Sequence, residues 1–161
     1  MSASTHVVSF DGGFLRRGFW LYAWEVTVPG ETTIVYVGRT GDSSSPNAQS
    51  PFNRMGQHLG RAVNSSMLRN HLSKQGIEPE DCSFRLVAHG PILPEVTTGV
   101  MDDHKVSRDV VAAMEQQLAI DLKDAGYDVV NKVSSTKPLD AELYEPVRAA
   151  FAAALTGLAE R

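Results

Sequence analysis

The chain has 161 residues, of which 42% are hydrophobic and 21% charged, with a formal net charge of −4 and one cysteine. Its length suits a single domain with one substantial core, and its composition is that of a globular protein. The lone Cys82 excludes an intramolecular disulfide and argues against a cysteine-based zinc site, so a reducing cytoplasm is the expected compartment.

No apolar run approaches the roughly 20 residues that a membrane-spanning helix needs. Met1 to His6 lacks a cationic cluster followed by an apolar stretch, which predicts no signal peptide. Residues 20–28 alternate Trp20, Trp24, Val26 and Val28 with Ala23, Glu25 and Thr27, the period of a half-buried strand. Pro29-Gly30-Glu31-Thr32 is a turn signal, and residues 33–37 are β-branched and apolar, which predicts an antiparallel hairpin. A three-residue loop closed by Val28 and Thr32 sets Trp24 opposite Tyr36 and Tyr22 opposite Gly38. Tyr22 and Tyr36 are then diagonal neighbours on one face, and a shift of one residue would part them.

Residues 41–51, rich in Ser, Asn and Pro, read as a loop, and 52–61 as a short helix. Asn64-Ser65-Ser66 is a capping cluster for a second helix over 67–75. Residues 82–88 alternate Phe84, Leu86 and Ala88 with Arg85 and Val87, a third strand. Residues 89–103, with two prolines and two glycines, are expected to be irregular, a functional or mobile loop. Over 107–125 a stripe of Val110, Val111, Met114, Leu118 and Leu122 predicts the clearest helix, with Gly126 as its C-cap. A short extended segment follows at 127–133. An amphipathic helix over 138–161, with the stripe Val147, Phe151, Ala154, Leu155 and Leu158, closes the chain. That stripe is read as packing on the protein's own sheet in preference to docking a partner or a second copy. The expected class is α+β: a small, mainly antiparallel sheet (hairpin plus third strand) flanked by helices, with an extra C-terminal helix.

Several side chains carry potential chemistry. Arg54 and His58 stand four apart on one helix, hence on one face, where a guanidinium fork and an imidazole suit a phosphate centre. Between Ser43 and Ile77 lie Arg54, Arg61, Arg69, Lys74, His58 and His71 and no acid. Such a block can hold phosphate on a net acidic chain, because distant exposed charges are screened; the alternative is a solvated helix face. Glu115 falls at the edge of the apolar stripe and Asp121 nearer its centre, so periodicity does not choose between them. A half-buried carboxylate needs a cation or hydrogen-bond donors. His104 with Asp102 and Asp103 has the residue types of a metal site, but in an irregular loop a solvated cluster is expected.

Taken in order, Trp20-Leu21-Tyr22, Tyr36-Val37-Gly38-Arg39-Thr40, Arg54-x-x-x-His58, Glu115 on a helix and Asn131 after it resemble the GIY-YIG nuclease family. The resemblance covers about 20–132. Trp20 stands at the family's first glycine, so the first tripeptide rests on Leu21 and Tyr22. The segments 41–53 and 89–103 look like insertions, and the separate DNA-recognition domain of many members is missing. The implied organisation is an N-terminal extension (1–19), a nuclease core (20–133) and a C-terminal helical extension packed on it (134–161). The implied activity is metal-dependent hydrolysis of phosphodiester bonds in DNA, placed ahead of RNA, with one Mg²⁺ or Mn²⁺ ion on Glu115. Tyr22 or Tyr36 would activate water, Arg54 and His58 would serve the phosphate and the proton, and Asn131 would orient. Arg39, Arg61, Arg69, His71 and Lys74 are the expected nucleic-acid contacts. No membrane partner and no obligate dimer are implied, and compact members of this kind point to a bacterial or phage source. A catalytically silent nucleic-acid-binding module or scaffold is the alternative.

Overall fold

The computed structural model describes residues 3–30 and 33–159. Strands β1 (Phe19–Thr27) and β2 (Thr33–Arg39) pair antiparallel with Trp24 opposite Tyr36 and Tyr22 opposite Gly38. This is the register that the three-residue turn implies; Glu31 and Thr32 lie outside the described residues. Strand β3 (Ser83–Leu93) joins the other edge of β1 antiparallel. Strand β4 (Asp128–Val129) runs parallel to β2, with Ile34 opposite Asp128. The sheet order is β3-β1-β2-β4, so the sheet is mixed, with three antiparallel strands and one short parallel edge.

Helices α1 (Pro51–Leu59), α2 (Met67–Lys74), α3 (Met101–Asp124), α4 (Ala141–Ala154) and the single-turn α5 (Thr156–Ala159) complete an α+β domain. The two faces of the sheet follow the strand period of two. Phe19, Leu21, Ala23, Val35 and Val37 face α3 and α4, meeting Val111, Met114, Leu118, Leu122, Val147 and Phe151. Tyr22, Trp24, Val26, Ile34 and Tyr36 face the other way, toward Leu68 and Leu72 of α2 and Met55 and Leu59 of α1. Leu68 and Leu72 are fully buried, and each such leucine contributes about 1.5–3 kcal/mol by leaving water. The C-terminal stripe Val147, Phe151, Leu155 and Leu158 is core of this same domain, which leaves it no surface for a partner.

Local signals explain most boundaries. Ser50 caps α1 by accepting from the Asn53 amide, with Pro51 in the first turn, and Asp140 caps α4 by accepting from the Leu143 amide. Ser66 does precede α2, but its hydroxyl makes no capping bond and is buried without a partner among the described residues.

The largest correction concerns 89–103. β3 does not stop at Ala88: it continues to Leu93, pairing Leu21 with His89 and Phe19 with Leu93 across a bulge. Pro91 is tolerated because β3 is an edge strand. Helix α3 begins at Met101, six residues earlier than its apolar stripe suggests, with Asp102 and Asp103 complementing the positive end of the helix dipole. The supposed long loop is therefore only the connector 94–100. The closing helix begins at Ala141 and breaks at Leu155; residues 160–161 lie outside the described residues. Among the described residues no helix is long and apolar enough to cross a membrane.

Candidate active site

The register of β1 against β2 brings the two motif tyrosines to the sheet face that α1 covers. Tyr22 is buried, and its ring lies directly over Gly38, where any added Cβ would overlap the phenol. The glycine is therefore required by close approach. The Tyr22 hydroxyl stands 2.5 Å from Nε2 of His58, which α1 presents from its last turn. The His58 ring is clamped edge-on between two tyrosines, with centroids 5.4 Å from Tyr22 and 5.1 Å from Tyr36. Burial lowers His58 to about 4, with the Arg54 charge adding to the effect and Asp42 opposing it, so the ring is neutral at pH 7. Burial pushes Tyr22 well above the ordinary phenol range, against the pull of Arg54. Tyr36 is pushed up to about 12 by burial, with the charge on Glu115 adding to it.

Arg54, one helical turn before His58, sits between Tyr22 and the loop after β2. Its Nη1 donates to Oε1 of Gln57 at 2.8 Å and lies 3.3 Å from a carboxylate oxygen of Asp42. Its Nε is buried and has no partner among the described residues. Burial acts to raise the Asp42 carboxyl, but the Ser44 hydroxyl and amide and the Arg54 charge outweigh it and hold it low. His104 Nε2 donates to the Asp42 carbonyl at 2.9 Å and fixes this turn. His104 is thus fully buried in the first turn of α3 against Phe19, which corrects the expectation of a solvated loop cluster; Asp102 turns away to Lys105.

Glu115 reaches the same region from α3. Its Oε2 accepts from Nε of Arg39 at 2.9 Å, and the two side chains are less than one-fifth exposed. Burial raises this carboxyl despite Arg39 and Arg54, with Asp42 adding to the rise. Asp121 is on other duty: it accepts from Tyr144 at 2.8 Å, Arg148 at 3.1 Å and Gln117 at 2.8 Å, and ties α3 to α4. The fold separates two acids that helical periodicity left equal. Among the described residues no group of three or more His, Cys, Asp or Glu side chains is placed to hold a metal. A single desolvated carboxylate fits Mg²⁺, which keeps several waters and uses one or two carboxylates with substrate phosphates. It does not fit an ion that needs an all-protein cage.

Asn131 is buried, and its amide is spent on the backbone of Val37, accepting from N at 3.0 Å and donating to O at 2.7 Å. It positions β2 immediately before Gly38. Thr40 closes the same end, accepting from the Trp20 amide at 2.9 Å and donating to the Gly18 carbonyl.

The expected basic contacts have different partners in the fold. Arg61 and Arg69 converge on Glu80, at 3.0 and 2.9 Å, so the fold supplies the acid that the linear stretch lacks. Arg69 also donates to the Leu59 carbonyl, holding α2 to the end of α1. His71 packs against Tyr36 at 5.7 Å, Lys74 lies exposed in the last turn of α2, and Arg39 is engaged by Glu115. Asp42 and Gln57 escape sequence reasoning. Asp42 lies in a Ser-rich turn without periodicity, and nothing but its position two residues after Thr40 marks it. No protein family, curated protein or solved structure matches this chain in comparison.

Proposed function

We propose that the chain is a divalent-metal-dependent endonuclease of the GIY-YIG type, which hydrolyses phosphodiester bonds in DNA in the cytoplasm. The observation that carries this reading is the hydrogen bond between Tyr22 and a neutral, buried His58, set beside an arginine whose Nε is unused. These groups come from β1 and α1, and Glu115 is brought to them from α3. Tyrosine is a poor base by itself, since its free pKa is near 10. Here Tyr22 takes a proton from the attacking water as it passes its own proton to His58 Nε2; the low basicity of the buried His58 opposes this transfer, and the negative charge growing on the phosphate offsets it. The water oxygen bonds to phosphorus and the bond to the leaving 3′ oxygen breaks. The Arg54 guanidinium, about one-quarter exposed as a side chain, donates to the phosphoryl oxygens as their charge grows. Glu115 would hold a Mg²⁺ or Mn²⁺ ion, which would supply Lewis-acid polarisation of the phosphate and of the leaving oxygen.

The test is a nicking assay on supercoiled plasmid, with forked and single-stranded DNA in parallel, with and without Mg²⁺ or Mn²⁺. Metal-dependent nicking that is lost in Glu115→Gln is expected. DNA binding without cleavage of any substrate would replace this reading with a silent binding module.

A further inference from the structure

A groove of about 340 Å³ opens between α3 and the segment after Asn131. Its lining includes Arg39, Arg108, Asp109, Ser134, Thr136 and Lys137. Arg108, Ala112 and Glu115 share one face of α3, since successive steps of four and three residues return to the same side. Arg108 therefore stands two turns, roughly 10 Å, along the helix from Glu115. Arg39 joins the two ends, because it lines the groove and also donates to Glu115.

The groove is held in shape. The Ser135 amide donates to Oε1 of Gln116 on α3 at 2.6 Å, and Asn131, just upstream, is locked to β2. Its charge is unbalanced in one direction. Arg108 at 2.6 Å and Lys137 at 3.1 Å share a single acid, Asp109, which holds both cations at the rim. The hydroxyls of Ser134 and Thr136 add neutral donors. Arg61 and Arg69 likewise share one acid, Glu80, but neither lines the groove that Arg39 connects to Glu115.

We propose that this groove, and not the α1–α2 basic stretch, binds the phosphodiester backbone of the DNA strand next to the cleaved bond, through Arg108 and Lys137. The inference rests on the nuclease reading above, and it assigns the strand's path along α3. Cations beside neutral hydroxyls, with one carboxylate between them, match a row of singly charged phosphates.

The test is binding of a labelled 20-base-pair duplex by the full chain in EDTA, where no divalent ion supports cutting, across a salt series. Replacing Arg108 and Lys137 by glutamine should flatten the slope of log affinity against log salt by about one to two units. The charge-conserving Arg108→Lys with Lys137→Arg should keep the original slope. Asp109→Asn alone should act in the opposite sense, tightening binding about threefold or more at low salt by removing the competing carboxylate; it also guards against a glutamine variant that folds poorly. Arg61→Gln with Lys74→Gln should leave the slope unchanged. Inorganic phosphate matched to chloride in ionic strength should shift duplex affinity by less than about twofold; stronger displacement would assign the groove to free phosphate and overturn the proposal. An unchanged slope in the Arg108/Lys137 glutamine variant, with plasmid nicking in Mg²⁺ intact, would overturn the groove alone. Absence of both binding and nicking in the unaltered chain would overturn the nuclease reading and the groove with it.

Discussion

The Tyr22 hydroxyl is hydrogen-bonded to His58 Nε2 across 2.5 Å in the interior, and the Tyr22 ring reaches that place over a position, Gly38, that has no room for a Cβ. On the proposed reading this pair gives the two tyrosines different roles. Tyr36 touches His58 and His71 only through its ring, whereas Tyr22 shares a proton with His58.

Tyr22→Phe is expected to cut the nicking rate by about 10²–10⁴-fold, the usual worth of general acid–base catalysis. Tyr36→Phe keeps its ring contacts and should cost less than about tenfold on the same scale. Gly38→Ala should mimic Tyr22→Phe, because the new methyl group displaces the phenol. Single-turnover cleavage of one plasmid by all three variants decides the assignment. Equal losses in Tyr36→Phe and Tyr22→Phe would remove Tyr22 as the sole base.

Glu115→Gln is expected to abolish cleavage with little loss of stability, since the amide oxygen can still accept from Arg39. Asp121→Asn should do the reverse, weakening the tie to Tyr144 and Arg148 by about 1–3 kcal/mol while nicking persists. Urea unfolding and nicking of the two variants side by side provide the check. Cleavage surviving in Glu115→Gln would move the metal elsewhere.

Arg54→Ala should lower the rate by at least ~10²-fold, as the loss of one oxyanion donor does. Lysine there should restore only part, because it lacks the planar guanidinium fork. Full rescue by lysine in single-turnover rates would reduce the role of Arg54 to a diffuse positive field.

The pH dependence of stability follows from His58. Its pKa is about 4 in the folded protein against an ordinary 6.5, so between these values the unfolded chain binds more protons. Stability from this group is complete above pH 6.5 and is lost as pH falls toward 4, by on the order of 3 kcal/mol. Glu115, whose carboxyl is raised, acts in the opposite sense, so the measurement is a difference. Urea midpoints of the wild type and of His58→Gln between pH 4 and 7 should converge as the pH falls. Parallel curves would show that His58 titrates normally. The nicking rate should likewise show no inflection near 6.5 from this group.

The sequence by itself determined what depends on local periodicity and on turn chemistry. A period of two and a Pro-Gly turn set the β1–β2 register and hence put Tyr22 over Gly38. A spacing of four put Arg54 and His58 on one face of α1. The apolar stripe located the body of α3 but missed its first turns, which are polar, and the edge extension of β3, which exists only because β1 pairs with it. The tertiary structure alone gave Glu115 and Asp121 different partners, because both ride the same helix and only the neighbours across the sheet and across α4 differ. It alone delivered Glu80 to Arg61 and Arg69, buried His104 on the Asp42 carbonyl, and left Arg54 Nε unused. Each of these rests on side chains distant in sequence, and the range of a charge or of a hydrogen bond is a few ångströms in space, whatever the separation along the chain.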